Sequence, residues 1–192
     1  GYVEIFDSEV YRKPKITAEK KITPIPPLTE NQQKAFEVLE KRIDDGKASA
    51  ALLFGVTGSG KTLVYLELIE KALELKKQSI LLVPEISLTP QMVSRFVGRF
   101  GNEVSVLHSG LSAGEKFDEW TKILKGEVCV AIGARSAVFA PFENLGIIII
   151  DEEHETTYKS DNAPRYDAKR AAMYRCKNEG AMLVMASATP SV

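Results

Sequence analysis

An α/β fold with a mostly parallel, doubly wound sheet is predicted by two features of this 192-residue sequence. From residue 29 onward, short apolar runs alternate with longer stretches in which apolar residues recur at helical spacing. The short runs are apolar at nearly every position, which is typical of parallel strands covered by helices on both faces. In such sheets ligands bind beyond the carboxyl ends of the strands, so the candidate functional residues are expected there.

Six strands and five helices are predicted along the chain. The first helix covers residues 29–43, and one of its faces carries Gln32, Ala35, Phe36, Leu39 and Ile43. The other helices are placed at 61–75, 89–100, 113–125 and 167–177, and the strands at 48–54, 79–83, 103–108, 127–132, 145–150 and 181–187. Candidate catalytic and binding residues are therefore expected in the loops that follow the strands.

The overall composition restricts the class of protein. Hydrophobic residues make up 44% and charged residues 27%, close to the globular average, which speaks against disorder throughout. Lys and Arg total 25 against 26 Asp and Glu, so the net charge gives no indication of nucleic acid binding. Cys129 and Cys176 lack the spacing of a zinc site and favour a reducing compartment. No apolar run reaches the roughly 18 residues that a membrane helix needs.

The first 27 residues differ from the rest of the chain. GYVEIF and EVYRKP are two β-prone runs around a DS pair and predict a possible hairpin. The Lys- and Pro-rich stretch that follows is typical of an extended linker. Residues 1–27 are therefore predicted as the end of a preceding domain plus a linker, and residues 28–192 as one lobe. Because the first residue is Gly1, we expect a piece of a longer protein.

A phosphate-binding loop is predicted by GVTGSGKT at residues 55–62, between a predicted strand and a predicted helix. Gly58 and Gly60 let the backbone curl, so that the N–H groups of the loop can point at phosphate oxygens. Lys61 would bind the β- and γ-phosphates, and the Thr62 hydroxyl would bind Mg²⁺. The expected nucleotide-binding set is Gly55, Thr57, Gly58, Ser59, Gly60, Lys61 and Thr62. The alternative is a Gly-rich turn with a solvated lysine.

An acidic strand end is predicted by IIIIDEEHE at residues 147–155. Carboxylates this close repel one another unless a cation lies among them, and Lys61 with a bound metal would supply that charge. Asp151 is expected to hold Mg²⁺, usually through water. Glu152 is expected to orient and deprotonate the attacking water, with Lys61 as the second catalytic residue. The alternative is a strand that runs out into a solvated acidic turn.

Together, these two motifs resemble those of the first motor lobe of superfamily-2 helicases. Five stretches narrow the resemblance to the primosomal replication-restart helicases: LTENQQKA (28–35), LVPEISLTPQ (82–91), GARSAVFAPF (133–142), DEEHETTYK followed by PRYDAKRAA, and SATPS (187–191). The resemblance implies a RecA-like P-loop NTPase lobe from an ATP- and Mg²⁺-dependent 3′–5′ DNA helicase that restarts stalled replication forks. It also implies single-stranded and forked DNA, primosome proteins and single-stranded DNA-binding protein as partners, in the bacterial cytoplasm and away from membranes.

The resemblance further implies roles for individual residues around the nucleotide. Gln32 would recognise adenine, although Thr29 and Gln32 equally fit a capping box at the start of the first helix. His154 follows the metal-binding acids and would connect hydrolysis to motion. The full set of residues that couple the two lobes would be His154, Ser187 and Thr189.

Contacts to a DNA strand are implied at Thr89, Gln91, Arg135, Ser136, Tyr158, Lys159, Arg165 and Tyr166. The resemblance implies that the aromatic-rich loop beyond Glu152 senses DNA and relays the signal to ATP hydrolysis. A base stacked on a tyrosine contributes roughly 1–3 kcal/mol whatever the sequence. The alternatives are an N-cap role for Thr89, a surface role for Arg135, and an ordinary surface loop with snorkelling side chains.

Other functions remain open at the level of the sequence. An RNA helicase or a restriction-type translocase shares the phosphate loop and the acidic strand end, and a nucleotide-gated interaction module would bind ATP without doing work. The resemblance places a zinc region and the arginine that completes the ATP site in a second lobe, outside this chain. We therefore expect the isolated chain to be nearly inactive.

Overall fold

The computed structural model describes residues 26–161 and 163–189. The hairpin and nearly all of the linker predicted for residues 1–27 lie outside the described residues, as do Pro190 and Ser191 of the SATPS stretch. The domain boundary near Leu28 stays a prediction. No helix in the described ranges combines the length and apolar character needed to cross a membrane.

Within the described residues, five α-helices and six strands follow one another in the order that the sequence predicts. The helices are α1 (Glu30–Asp44), α2 (Lys61–Glu74), α3 (Pro90–Phe100), α4 (Ala113–Leu124) and α5 (Ala168–Glu179). The strands are β1 (Ser49–Phe54), β2 (Gln78–Leu82), β3 (Val104–Leu107), β4 (Val130–Gly133), β5 (Leu145–Ile150) and β6 (Met182–Ser187). Side chains cap four of the helices at their N-termini: Thr29, Thr89, Ser112 and Asp167. The helix starts are therefore fixed by local sequence.

All six strands run parallel in one sheet, in the order β1-β6-β5-β2-β4-β3. The first strand thus pairs with the last one described, and the main-chain N–H of Gly55, just beyond β1, donates to the oxygen of Ser187 at 3.2 Å. This arrangement brings the loops after β1, β5 and β6 to one edge of the sheet. The predicted parallel α/β fold is confirmed.

Helices cover both faces of the sheet. One hydrophobic core lies between the sheet and α1, α2 and α3, and includes Leu39, Tyr65 and Phe96. The second lies between the sheet and α4 and α5, and includes Ile123 and Ala172. The sheet therefore separates two hydrophobic cores, and each loop at the carboxyl ends of the strands is attached to elements that pack in one or both of these cores.

The uniform burial predicted for all strands is wrong for β1. Its residues alternate between half-buried and exposed, with Leu52 49% and Phe54 65% exposed. The reason is topological, because β1 lies at an edge of the sheet and α5 packs mainly on β5 and β6. An apolar run in the sequence cannot distinguish an edge strand from a central one.

Candidate nucleotide site and adjoining loops

The glycine-rich loop connects β1 to the first turn of α2. Gly58 and Gly60 have φ angles of 79° and 77°, a conformation that favours glycine. A side chain at Gly60 would collide with the amide of Gln32. Gly60 is also the N-cap of α2, so the positive end of that helix faces the loop. The loop therefore has the geometry of an anion-binding site.

Lys61 connects the loop to the acidic end of β5. Its Nζ donates to the main-chain oxygen of Gly55 at 2.8 Å and to that of Val56 at 3.4 Å. The same Nζ lies 3.8 Å from Oε1 of Glu152. The side chain of Lys61 is only 10% exposed, so its charge acts at this site and not in bulk water.

The lysine and the acids face one cavity of about 490 Å³. Its lining includes Gly58, Gly60, Lys61, Thr62, Asp151 and Glu152 from the predicted site, together with Arg95 from α3. The volume lies within the range of about 300–1,000 Å³ typical of small-molecule sites. The structure thus brings both predicted motifs to the same cavity, where the ammonium group of Lys61 lies 3.8 Å from the carboxylate of Glu152.

Asp151 is held in a defined orientation at the tip of β5. Its Oδ1 accepts a hydrogen bond from the Tyr65 hydroxyl at 2.7 Å and another from the main-chain N–H of Glu152 at 3.0 Å. Burial raises the pKa of Asp151 above its ordinary value, and the hydrogen bond from Tyr65 opposes that shift. Within the described residues Oδ2 has no hydrogen-bond donor. This carboxylate and the Thr62 hydroxyl are oxygen ligands of the kind that Mg²⁺ prefers, so the residues fit the ion.

Glu152 follows Asp151 in an unusual backbone conformation. Its φ of 44° lies in the left-handed region, which a residue with a side chain rarely adopts. The side chain lies between Lys61 and His154, with Oε1 3.8 Å from Nζ of Lys61 and Oε2 3.6 Å from Nδ1 of His154. Such strain is retained where the surrounding structure fixes a functional group.

The three predicted coupling residues meet at the end of β6. Nδ1 of His154 and Oγ of Ser187 share a hydrogen bond of 2.8 Å, and the main-chain N–H of Thr189 donates to the same oxygen at 3.0 Å. Ser187 is fully buried. Because His154 also lies 3.6 Å from Glu152, two side chains connect the end of β6 to the residue predicted as the catalytic base.

Gln32 uses its amide within the fold. Its Oε1 accepts from the main-chain N–H of Thr29 at 2.8 Å, which completes the capping box of α1. Its Nε2 donates to the main-chain oxygen of Ser59 at 2.7 Å. The side chain thus ties the start of α1 to the phosphate loop, and the adenine-recognising role stays a prediction.

The predicted DNA-contacting residues are distributed over three loops at the same edge of the sheet. The hydroxyl of Thr89 caps α3 by accepting from the N–H of Met92 at 3.2 Å, while Gln91 is exposed in the first turn. Arg135 donates to the main-chain oxygens of Thr157 at 3.3 Å and Lys159 at 2.8 Å. The exposed residues of the predicted set are Thr89, Gln91, Ser136, Lys159 and Arg165.

The prediction that Tyr158 stacks on a base is corrected by the structure. The side chain is 1% exposed and packs in the core beneath α4 and α5. Its hydroxyl donates to the main-chain oxygens of Asp151 at 2.5 Å and Leu82 at 3.2 Å. A short 3₁₀ turn at Thr156–Tyr158 directs the ring inward. Tyr166 is half-buried, with its ring edge-on to Phe139 at 4.9 Å.

Two residues of the site were missed by the sequence analysis. Tyr65 occupies an apolar face of α2, where a tyrosine reads as a core residue, and only its pairing with Asp151 reveals a polar task. Arg95 is an exposed residue of α3 that lines the phosphate cavity. No local motif surrounds it, because its position there depends on how α3 packs beside α2.

Comparison with known proteins agrees with this geometry. The profile of the DEAD/DEAH box helicases matches residues 29–192. The chain is 56% identical to the replication restart protein PriA of Bacillus subtilis (strain 168), over 96% of this chain and 23% of that protein. It is 44% identical to the replication restart protein PriA of Chlamydia muridarum (strain MoPn / Nigg), over 100% of this chain and 26% of that protein. The chain thus spans about a quarter of the length of these relatives.

Solved structures show the same fold. The structure of RecG bound to a three-way DNA junction superposes with a TM-score of 0.67 at 28% identity, over 86% of this chain and 22% of that one. A hypothetical ATP-dependent RNA helicase from Sulfolobus tokodaii superposes with a TM-score of 0.60 at 19% identity, over 86% of this chain and 47% of that one. The resemblance to replication-restart helicases is confirmed, and since the profile match extends over most of its length, the chain belongs to the DEAD/DEAH box helicase family.

Proposed function

We propose that the chain is the ATP-binding lobe of a DNA-dependent ATPase and 3′–5′ DNA helicase that restarts stalled replication forks. The observation that carries this proposal is the single cavity into which Lys61, Asp151 and Glu152 all project. A phosphate loop alone would support many nucleotide-binding proteins. A phosphate loop facing an acid pair at the end of a neighbouring strand supports hydrolysis.

In the proposed reaction, the loop N–H groups and Lys61 bind the β- and γ-phosphates. Mg²⁺, held by Thr62 and Asp151, would neutralise charge on those phosphate oxygens. Glu152 orients a water molecule and takes its proton as the water oxygen attacks the γ-phosphorus and the bond to the β-phosphate oxygen breaks. Arg95 adds a second positive charge to the lining of the cavity. It would bind the phosphates of ATP or the phosphate released from it.

A physical connection between the proposed DNA surface and the nucleotide supports a motor over a simple switch. Arg135 binds the carbonyls that flank Tyr158, and the Tyr158 hydroxyl binds the carbonyl of Asp151. A DNA phosphate near Arg135 would therefore act on the backbone of the metal-binding residue through one intervening side chain. His154 and Ser187 provide a second connection at the end of β6.

The relatives support the choice of DNA and of replication restart. Two of them, from different bacteria, carry the name replication restart protein PriA, and a structural neighbour was solved on a three-way DNA junction. By this analogy the partners of the complete protein are single-stranded and forked DNA, primosome proteins and single-stranded DNA-binding protein, in the bacterial cytoplasm. The zinc region and the arginine that completes the ATP site would belong to the rest of the protein.

The test is nucleic-acid-stimulated ATP hydrolysis by the full-length protein. We expect forked and single-stranded DNA to stimulate hydrolysis strongly and single-stranded RNA of the same sequence to stimulate it weakly. Strand separation should require hydrolysable ATP. Stimulation by RNA alone would indicate an RNA helicase, and ATP binding without any stimulated turnover would indicate an interaction module.

A further inference from the structure

Two buried tyrosines hold Asp151 from opposite faces of the sheet. Tyr65 lies in the core beneath α1, α2 and α3, and Tyr158 lies in the core on the other face. Tyr65 donates to the side chain of Asp151 at 2.7 Å, whereas Tyr158 donates to its main-chain oxygen at 2.5 Å. In the described part of the chain, Tyr65 thus contacts the carboxylate of Asp151, whereas Tyr158 contacts its backbone.

The Tyr65 hydroxyl has no evident task other than this contact. The ring is fully buried among apolar side chains, where phenylalanine would fill nearly the same volume. A hydroxyl buried in a core destabilises the fold unless it is hydrogen-bonded, and Asp151 is the partner it has in the described part of the chain. The oxygen of Tyr65 is thus explained by Asp151 and not by packing.

The contact determines which carboxylate oxygen remains for a cation. Oδ1 of Asp151 accepts from both Tyr65 and the N–H of Glu152. Two donors on one oxygen fix the rotation of the carboxylate and leave Oδ2 as the oxygen with lone pairs to spare. Asp151 lines the phosphate cavity, so that Oδ2 is the oxygen that can serve a cation there.

Tyr65 also lies one turn beyond Thr62 on α2, at a spacing that places both residues on the same side of the helix. The N-terminal part of α2 thus carries both the proposed hydroxyl ligand of the metal, Thr62, and the group that orients the carboxylate ligand, Tyr65. A shift of α2 relative to β5 would move both together. The pattern K-T-x-x-Y at residues 61–65 joins the two halves of the site in one helical turn.

We propose that Tyr65 is a positioning residue for the metal ion of this site, acting through the Oδ1 atom of Asp151 so that Oδ2 faces the cation. This inference rests on the proposed function, because it assumes that Asp151 serves Mg²⁺ bound with ATP. If it is correct, metal binding at this site requires Tyr65 in addition to the phosphate loop and the acidic end of β5. Tyr65 itself is not among the residues that line the cavity.

The experiment measures how strongly Mg²⁺ assists nucleotide binding in the full-length protein and in its Tyr65→Phe variant. The dissociation constant of a fluorescent, non-hydrolysable ATP analogue is determined at saturating Mg²⁺ and again in EDTA. The ratio of the two constants reports the metal contribution without depending on turnover. Loss of a partner that orients a metal ligand typically lowers metal affinity about 10- to 100-fold, so we expect the ratio to fall about tenfold.

The binding constant in EDTA is the readout that separates positioning from structural damage. It should be the same in Tyr65→Phe and in the unmodified protein, because the phosphate loop is untouched. Tyr158→Phe is the matched comparison, since it also removes one buried hydroxyl beside Asp151 but leaves Oδ1 with both donors. We expect its Mg²⁺ ratio to stay within about twofold of the unmodified protein, in keeping with an intact set of carboxylate partners.

An unchanged Mg²⁺ ratio in a folded Tyr65→Phe protein would overturn the inference and leave the proposed function standing. Equal losses in Tyr65→Phe and Tyr158→Phe, or a weaker constant in EDTA, would also overturn it, because the hydroxyl would then be a general structural element. Absence of nucleotide binding by the unmodified protein would instead overturn the proposed function and this inference together.

Discussion

The nucleotide cavity and the proposed DNA surface differ in what their key side chains do within the fold. In the cavity, one oxygen of the Asp151 carboxylate has no donor among the residues that the structure describes, and Glu152 and Lys61 lie 3.8 Å apart. On the proposed DNA surface, Thr89 caps a helix and Arg135 binds two carbonyls of a neighbouring loop. The first region thus has polar groups that a ligand can contact, whereas the side chains of the second largely make contacts that hold the loops in place.

The two regions therefore need different tests. Substitutions in the cavity remove a chemical group from the reaction, so they should change activity with little change in stability. Substitutions on the DNA surface disturb loop geometry as well as any contact to DNA, so stability must be measured beside binding. Exposed residues such as Lys159 are the places where the two effects can be separated.

The largest effect is expected when the chain is tested alone. By resemblance, an arginine from a second lobe completes the ATP site, and such a residue contributes about 10³- to 10⁵-fold in rate. The isolated 192-residue chain should therefore hydrolyse ATP slower than the full-length protein by about that factor, with or without DNA. Steady-state phosphate release checks this, and DNA-stimulated turnover at full-length rates would contradict it.

Glu152→Gln should have the next largest effect. The amide cannot take a proton from water, so hydrolysis by the full-length protein should fall by about 10²- to 10⁴-fold while ATP still binds. Phosphate release and retention of labelled ATP are measured side by side. A variant that keeps most of its activity would show that the cavity serves nucleotide binding and not hydrolysis.

Lys61→Ala should weaken ATP binding about 10- to 100-fold, because a hydrogen bond to a charged group contributes about 1.5–3 kcal/mol. Lys34→Ala is the matched control, since Lys34 is an exposed lysine paired with Glu30 on the surface of α1. Equilibrium binding of a fluorescent ATP analogue gives both affinities. Equal affinities for the two variants would mean that the loop does not bind phosphate through its lysine.

The smallest effect distinguishes structure from DNA contact in the aromatic-rich loop. Tyr158→Phe removes the hydroxyl that donates to the main-chain oxygen of Asp151, while that of Leu82 keeps the N–H of Asp151 at 2.9 Å. The variant should lower the free energy of unfolding by about 1–3 kcal/mol. Lys159→Ala, at an exposed position, should change it by less than about 0.5 kcal/mol and weaken DNA binding instead. Urea denaturation and DNA binding are measured for both variants in the full-length protein. The opposite pattern would return Tyr158 to the DNA surface.

The phosphate loop could be predicted from sequence because its chemistry dictates its spacing. Glycines at residues 58 and 60 are needed where the backbone has positive φ, so the motif and the geometry carry the same information. For Asp151 and Lys61, the sequence predicted only that both lie beyond the carboxyl ends of parallel strands. It did not predict which strands bring them together. The order of the strands, with β1 beside β6, has no local signature.

The residues that the sequence analysis missed or misplaced depend on contacts between separate elements of the fold. The polar contacts of Tyr65 and Tyr158 are made outside their own helix or turn, and the residues beside them in the sequence give no sign of those contacts. Arg95 and Phe54 depend on packing between elements, which decides whether a side chain lines a cavity or faces solvent. Local patterns predict backbone shape well and long-range hydrogen bonds poorly.

The pairing of β1 with β6 has a consequence for how the lobe matures during translation. Residue 49 leaves the ribosome 133 residues before residue 182, where its partner strand begins. At about 5–20 residues per second, β1 waits roughly 7 to 27 seconds for its neighbour in the sheet. Until then Gly55 lacks the Ser187 oxygen that anchors the start of the phosphate loop. A nascent chain that stalls before residue 182 would therefore be unable to complete its nucleotide site.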